Sequence, residues 1–152
     1  MIKIGLIGLG SIGSVLAFHL LKSNEIELYV VSGRVENNIS LLDKRAQSEN
    51  KMLQHSKNFF KVDINTLYQM KDIECIIISG KTNSNKDIIE SFKKIYNKEH
   101  PIPPLILAQN GIGIEEDFRQ IYNDIIVYRI VVTISAYIEN DYTVFNFFKE
   151  PL

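Results

Sequence analysis

The first 22 residues, MIKIGLIGLGSIGSVLAFHLLK, constrain this chain more than any other stretch. Ile2, Ile4, Leu6 and Ile7 make an apolar run of the kind found in a parallel strand covered on both faces. Gly8, Gly10 and Gly13 follow in G-x-G-x-x-G spacing, and Ile12, Val15, Leu16 and Leu20 then recur on one side of a helix. Each glycine answers a different need. Gly8 permits a tight strand-to-helix turn, Gly10 lets backbone approach a pyrophosphate, and Gly13 lets the helix pack close to the strand. The helix N-terminus adds free N–H groups and the positive end of a dipole. The expected phosphate cradle is therefore Gly8, Leu9, Gly10, Ser11, Ile12 and Gly13. Three glycines in six residues also occur by chance; the strand before them and the amphipathic helix after them give the motif its meaning. Lys3 and the apolar and small residues up to His19 imitate a signal peptide or membrane anchor, but there is no small-x-small cleavage pattern.

At 152 residues the chain is expected to be one domain with a sizeable core. Its net charge of −1 supplies no basic field for nucleic acid and no polybasic signal for a membrane surface. The apolar stretch from Ile125 to Ile138 is too short to span a bilayer and contains Arg129. A single cysteine, Cys75, excludes an internal disulfide, and a reducing cytoplasmic location is the expectation. Cys75 opens the apolar run Cys75-Ile76-Ile77-Ile78, so it reads as a packed thiol rather than a nucleophile. The three histidines are scattered singly, His55 lies in a polar segment, and no cluster has metal-ligand spacing.

Further strands are expected at Glu27–Val31, Phe59–Val62, Cys75–Ser79, Leu105–Ala108, Ile125–Tyr137 and, alternating in the manner of an antiparallel partner, Tyr142–Phe147. Helices are expected at Asn83–Tyr96 and Glu115–Tyr122, with a short one suggested by Ile39, Leu41, Leu42 and Ala46. This alternation defines an α/β chain: a Rossmann-type, doubly wound, mostly parallel sheet with an antiparallel C-terminal extension.

Three polar positions follow strands, where open α/β sheets bind ligands. Ser32-Gly33-Arg34 ends the second, and Arg34 stands 21 residues after Gly13, where a dinucleotide fold meets the adenosine ribose. An acid there would select NAD, whereas an arginine can pair with a 2′-phosphate and select NADP. Lys81 follows the Cys75–Ser79 strand, and Asn110 follows Leu105–Ala108 within Gln109-Asn110-Gly111. Taken singly, Arg34 and Lys81 also read as surface cations, and Asn110 as a turn former.

In combination, GLGSIG, strand-GR, strand-GKT, strand-QNGIG-EE and VVTISA resemble the ketopantoate reductase family, the NADPH-dependent 2-dehydropantoate 2-reductases of pantothenate synthesis. The resemblance runs from Met1 to about Phe147 and covers that family's N-terminal, cofactor-binding domain. It implies NADPH as cofactor, with Gly8 to Gly13 at the pyrophosphate, Arg34 at the 2′-phosphate and Lys81 along the cofactor. It also places Asn110 against both nicotinamide and a 2-keto acid substrate, and matches Ala136 to the alanine in the family's post-strand segment. Ser32 lies in the same strand-end segment as Arg34. One departure is Gly80, where a valine or leucine is usual, which is expected to loosen that strand end. The family's second, helical domain, which carries the general acid, is not among these residues. This chain alone is therefore expected to bind cofactor without turnover, and to expose an apolar surface able to form a homodimer. The rival readings are a nucleotide-sensing Rossmann domain without chemistry, which usually carries an acid at the Arg34 position, and a reductase of another 2-keto acid.

Overall fold

The computed structural model describes residues 1–33, 40–43, 48–52, 57–95, 101–121, 124–139 and 143–146. The main sheet contains β1 (Ile2–Ile7), β2 (Ile26–Val31), β5 (Phe59–Lys61), β6 (Cys75–Ile78), β7 (Leu105–Leu107) and β8 (Val127–Arg129). Their spatial order is β5-β2-β1-β6-β7-β8, and every neighbouring pair is parallel. The chain winds outward from β1 in one direction through β2 and β5, then in the other through β6, β7 and β8. The strand order reverses between β1 and β6, and a crevice forms at the carboxyl ends of the strands at such a point.

The period-two pattern of the strands assigns the two faces. Ile4 and Leu6 of β1, Leu28 and Val30 of β2 and Ile77 of β6 pack under Val15 and Ala17 of α1 (Ser11–Leu20). Ile7, Ile76, Ile78, Leu105 and Leu107 point the other way. They meet Leu67 and Tyr68 of α2 (Ile64–Gln69), Ile88 and Phe92 of α3 (Asn85–Ile95), and Ile114 and Phe118 of α4 (Ile114–Arg119). The α3 stripe Ile88, Phe92 has i, i+4 spacing, and Asp63 caps α2 by accepting from the backbone N–H groups of Asn65 and Thr66, both at 2.9 Å.

A second sheet has the order β4-β3-β10-β9, formed by β3 (Ser40–Asp43), β4 (Ser48–Met52), β9 (Ala136–Glu139) and β10 (Thr143–Asn146). The expected C-terminal hairpin is present, with Thr143 opposite Glu139 and Asn146 opposite Ala136. It does not lengthen the main sheet. Instead β10 pairs in parallel with β3, and α1 lies between the two sheets, with Ala136 and Ile138 packed on its core.

Two sequence expectations are corrected. The segment Ile125–Tyr137 is not one strand: β8 stays in the main sheet, β9 belongs to the second, and residues 130–135 cross between them. The β-branched residues there have strand propensity, but beyond the Ile130 N–H bond to the Leu107 carbonyl they pair with no strand among the described residues. Leu41 and Leu42 lie on β3, not a helix, because pairing with β10 and β4 overrides the local pattern, while Ile39 and Ala46 lie outside the described residues. His55 and Tyr96 lie outside them too. No helix among the described residues is long and apolar enough to cross a membrane.

The Cys75 thiol is half-buried, and burial together with neighbouring Glu74 raises its pKa, as expected of a packing residue.

Candidate functional site

The glycine turn is built by backbone contacts. Gly8 has φ +101°, a conformation that side-chain-bearing residues rarely adopt, and a Cβ there would lie 2.4 Å from the Gly80 nitrogen. Its carbonyl accepts from Ser79 Oγ at 2.6 Å, while its N–H donates to the Val31 carbonyl at 2.9 Å. A Cβ on Gly13 would lie only 2.1 Å from the same Gly8 oxygen. Gly8 and Gly13 therefore bring β1, β6 and α1 together, with backbone meeting backbone.

Gly10 is different. It sits at the N-cap of α1 in extended conformation, and a Cβ added there would meet nothing within 4 Å. No side chain caps this helix, and its first turn contains no acid. The leading N–H groups of α1 thus have no intrahelical acceptor, and among the described residues the space in front of Gly10 is open.

That space is a cleft of about 740 Å³. Gly10, Ser11 and Ile12 line one wall, Ser79 to Asn83 a second, Ala108, Gln109 and Asn110 a third, and Ala136, Tyr137 and Ile138 of β9 the last. Lys81 is the one ionisable cation on these walls and no carboxylate faces it among the described residues, so the cleft suits an anionic ligand. No group of acids, histidines and cysteines among the described residues could hold a metal ion.

Six of the residues singled out from the sequence meet here: Gly10, Ser11, Ile12, Lys81, Asn110 and Ala136. Gly8 and Gly13 shape the turn from behind, and Leu9 is buried in the core beneath α1. None of these three lines the cleft. Ser32 follows β2, half-buried, outside the cleft, and Arg34 lies outside the described residues. The strand end at Gly80 is tethered rather than loosened: its N–H donates to the Ile7 carbonyl at 3.2 Å and its carbonyl accepts from Gln109 Nε2 at 2.6 Å.

Local contacts fix the two polar residues at the strand ends. Lys81 is exposed, and its carbonyl accepts from the N–H of Ser84 at 3.0 Å and from Ser84 Oγ at 2.7 Å, closing the 3-10 turn Thr82–Ser84. Asn110 is exposed, with Nδ2 donating to the Val132 carbonyl at 3.4 Å. The next residue is held as well: Arg129 donates to the Gly111 carbonyl and lies 3.5 Å from Glu115. Sequence reading missed eight residues on the walls: Ser79, Gly80, Thr82, Asn83, Ala108, Gln109, Tyr137 and Ile138. Thr82 and Asn83 could have been found as neighbours of Lys81; Tyr137 and Ile138 depend on the second sheet, which no local pattern signals.

The architecture defines the class, a Rossmann-type α/β domain with its cleft at the switch point of the sheet. The family model for ketopantoate reductase PanE/ApbA matches residues 4–150, and the chain belongs to that family of oxidoreductases. Comparison with curated protein sequences gave no significant match. Among solved structures, 2-dehydropantoate 2-reductase from Geobacter metallireducens is 15% identical with a TM-score of 0.70, covering 97% of this chain and 47% of that one. A D-mandelate dehydrogenase with NADH and anilino(oxo)acetate is 18% identical with a TM-score of 0.69, covering 96% and 45%. An octopine dehydrogenase with NADH and L-arginine is 10% identical with a TM-score of 0.70, covering 99% and 40%. At these identities the likeness is one of fold. The chain spans less than half the length of each of these structures.

Proposed function

We propose that this chain is the NADPH-binding part of a reductase acting on a 2-keto acid, 2-dehydropantoate being the favoured substrate. The observation that carries the reading is the convergence on one cleft of an open, uncapped helix N-terminus, Lys81 and Asn110. The first-turn N–H groups of α1 bind the pyrophosphate, and Gly10 leaves room for it. Lys81 lies along the cofactor as a cation, while Asn110 orients nicotinamide and the substrate carbonyl. Ala136 closes the cleft from the second sheet. When bound, the reduced nicotinamide supplies a hydride to the keto carbon. The alkoxide so formed needs a proton, and we assign no residue of this chain to that step. The reading is of a cytoplasmic protein, and the exposed Ile126, Tyr128, Ile130 and Val131 at the β8 edge support self-association as a homodimer.

Arg34 is the proposed selector of the 2′-phosphate. Charge-assisted hydrogen bonds of this kind contribute about 1.5–3 kcal/mol, so NADPH should bind about tenfold or more tightly than NADH. Titrating both cofactors into wild type and Arg34→Ala tests this. The variant should lose the preference by weakening NADPH alone; equal wild-type affinities would remove the assignment.

A further inference from the structure

We propose that Gln109 and Asn85 form a buried amide pair that positions Lys81 and Asn110 on either side of the cleft, an inference that rests on the cofactor site proposed above. Each side chain belongs to a residue only 4% exposed. Asn85 Nδ2 donates to Gln109 Oε1 at 3.1 Å, and Gln109 Nε2 donates back to Asn85 Oδ1 at 2.8 Å. The second Nε2 hydrogen goes to the Gly80 carbonyl at 2.6 Å.

This third bond sets the orientation of the pair. A carbonyl only accepts, so the Gln109 atom facing Gly80 must be the nitrogen; Oε1 then faces Asn85, whose nitrogen must point to it. Both Nε2 hydrogens are consumed inside the protein. Although Gln109 reaches the cleft wall, its side chain has no donor left for a ligand, so the role it fills is positioning.

The anchors lie where positioning is needed. Ladder bonding between β6 and β7 continues as far as Ala108 N–H to the Ile78 carbonyl, at 2.8 Å. Beyond that bond the two chains diverge, Ser79-Gly80-Lys81 toward α3 and Gln109-Asn110-Gly111 toward α4. The amide pair spans the gap and ties both to the first residue of α3. Gly80 is one residue before Lys81, and Gln109 is one residue before Asn110. Holding these anchors restricts both ligand-facing residues before any ligand arrives, which lowers the ordering cost of binding. Buried amides bonded to each other suit this role, because either one without its partner is left with an unsatisfied group in the core.

Three readouts decide the matter. In the free wild type, amide exchange should be much slower at Gln109 Nε2 than at the exposed Asn110 Nδ2; equal rates overturn the pair. In Gln109→Leu, and separately in Asn85→Leu, backbone amide resonances of Lys81 and Asn110 should shift while those of Ser11 to Gly13 stay in place. Shifts spread evenly over the cleft, or absent at Lys81 and Asn110, overturn the positioning role. Calorimetric titration should show about a tenfold loss of NADPH affinity in either variant. Affinity for adenosine 2′,5′-bisphosphate, which carries the adenine half alone, should stay within about twofold. Equal losses for both ligands would mean general destabilisation and overturn the proposal, as would unchanged NADPH affinity. If wild type binds neither ligand, the cofactor reading falls, while exchange and resonance shifts still decide whether the pair holds the two strand ends.

Discussion

Gly13→Ala is expected to lower the melting temperature by about 4–8 °C and to take ligand binding down with it. The added carbon would lie 2.1 Å from the Gly8 carbonyl oxygen and 2.6 Å from Ser79 Oγ. Ser79 cannot swing away freely, because its hydroxyl donates to that same Gly8 carbonyl at 2.6 Å. The first obstacle is backbone, so relief requires α1 to move off β1. Overpacking of this kind costs about 1–3 kcal/mol and sometimes more, and Gly8's backbone cannot rotate out of the way as a side chain would. Alanine gains about 1 kcal/mol of helix propensity over glycine, which offsets only part of this. A net loss of about 2 kcal/mol, the upper end of that balance, corresponds in a domain of this size to the stated shift, at about 2–4 °C per kcal/mol. Thermal unfolding followed by circular dichroism measures it. An unchanged melting temperature would mean that α1 does not sit as close to β1 as described.

Gly10→Val should do the opposite, leaving the fold in place and removing dinucleotide binding. Gly10 has φ −78° and ψ −165°, extended values open to valine, and its Cβ position is free of protein atoms. Valine is a poorer N-cap than glycine, so a stability loss of about 0.5–1 kcal/mol is expected, far short of unfolding. The branched side chain would stand in front of the N–H groups of α1, where the pyrophosphate is proposed to lie. Affinity for NADPH should fall by more than about 100-fold, roughly 2.8 kcal/mol. Wild-type binding by a folded Gly10→Val protein would strip the motif of its role. Together the two variants would separate structure from recognition within one six-residue motif.

That separation also shows which parts were legible in the sequence. The G-x-G-x-x-G spacing announced three glycines with three tasks; the close packing at Gly8 and Gly13 is visible in the contacts a Cβ would make, and a Cβ on Gly10 would meet no described atom within 4 Å. The buried strands β1, β2, β6 and β7 were readable because each carries its own apolar run and the parallel ladder needs no further specification. Lys81 and Asn110 could be placed together because residues following parallel strands end up at one edge of the sheet. The second sheet was not legible as such. β3 meets β10 across about 100 residues of sequence, and neither segment signals the other; Leu41 and Leu42 even imitate a helix stripe. The break between β8 and β9 was hidden for the same reason, since strand propensity runs continuously through residues where the partner strand changes. The Gln109–Asn85 pair is likewise invisible in one dimension, because two ordinary amides 24 residues apart become a unit only when α3 docks on the sheet.

The central claim is that the cleft between the glycine turn, Lys81 and Asn110 is a dinucleotide site. The most direct measurement is a titration of the isotopically labelled wild-type chain with NADPH, followed through backbone amide resonances. A saturable change with one binding constant is expected, focused on Gly10 to Gly13, Gly80, Lys81 and Asn110, with a weaker response to NADH at the same residues. No saturable response, or one centred away from the cleft, such as along the exposed β8 edge at Tyr128 and Val131, would contradict it.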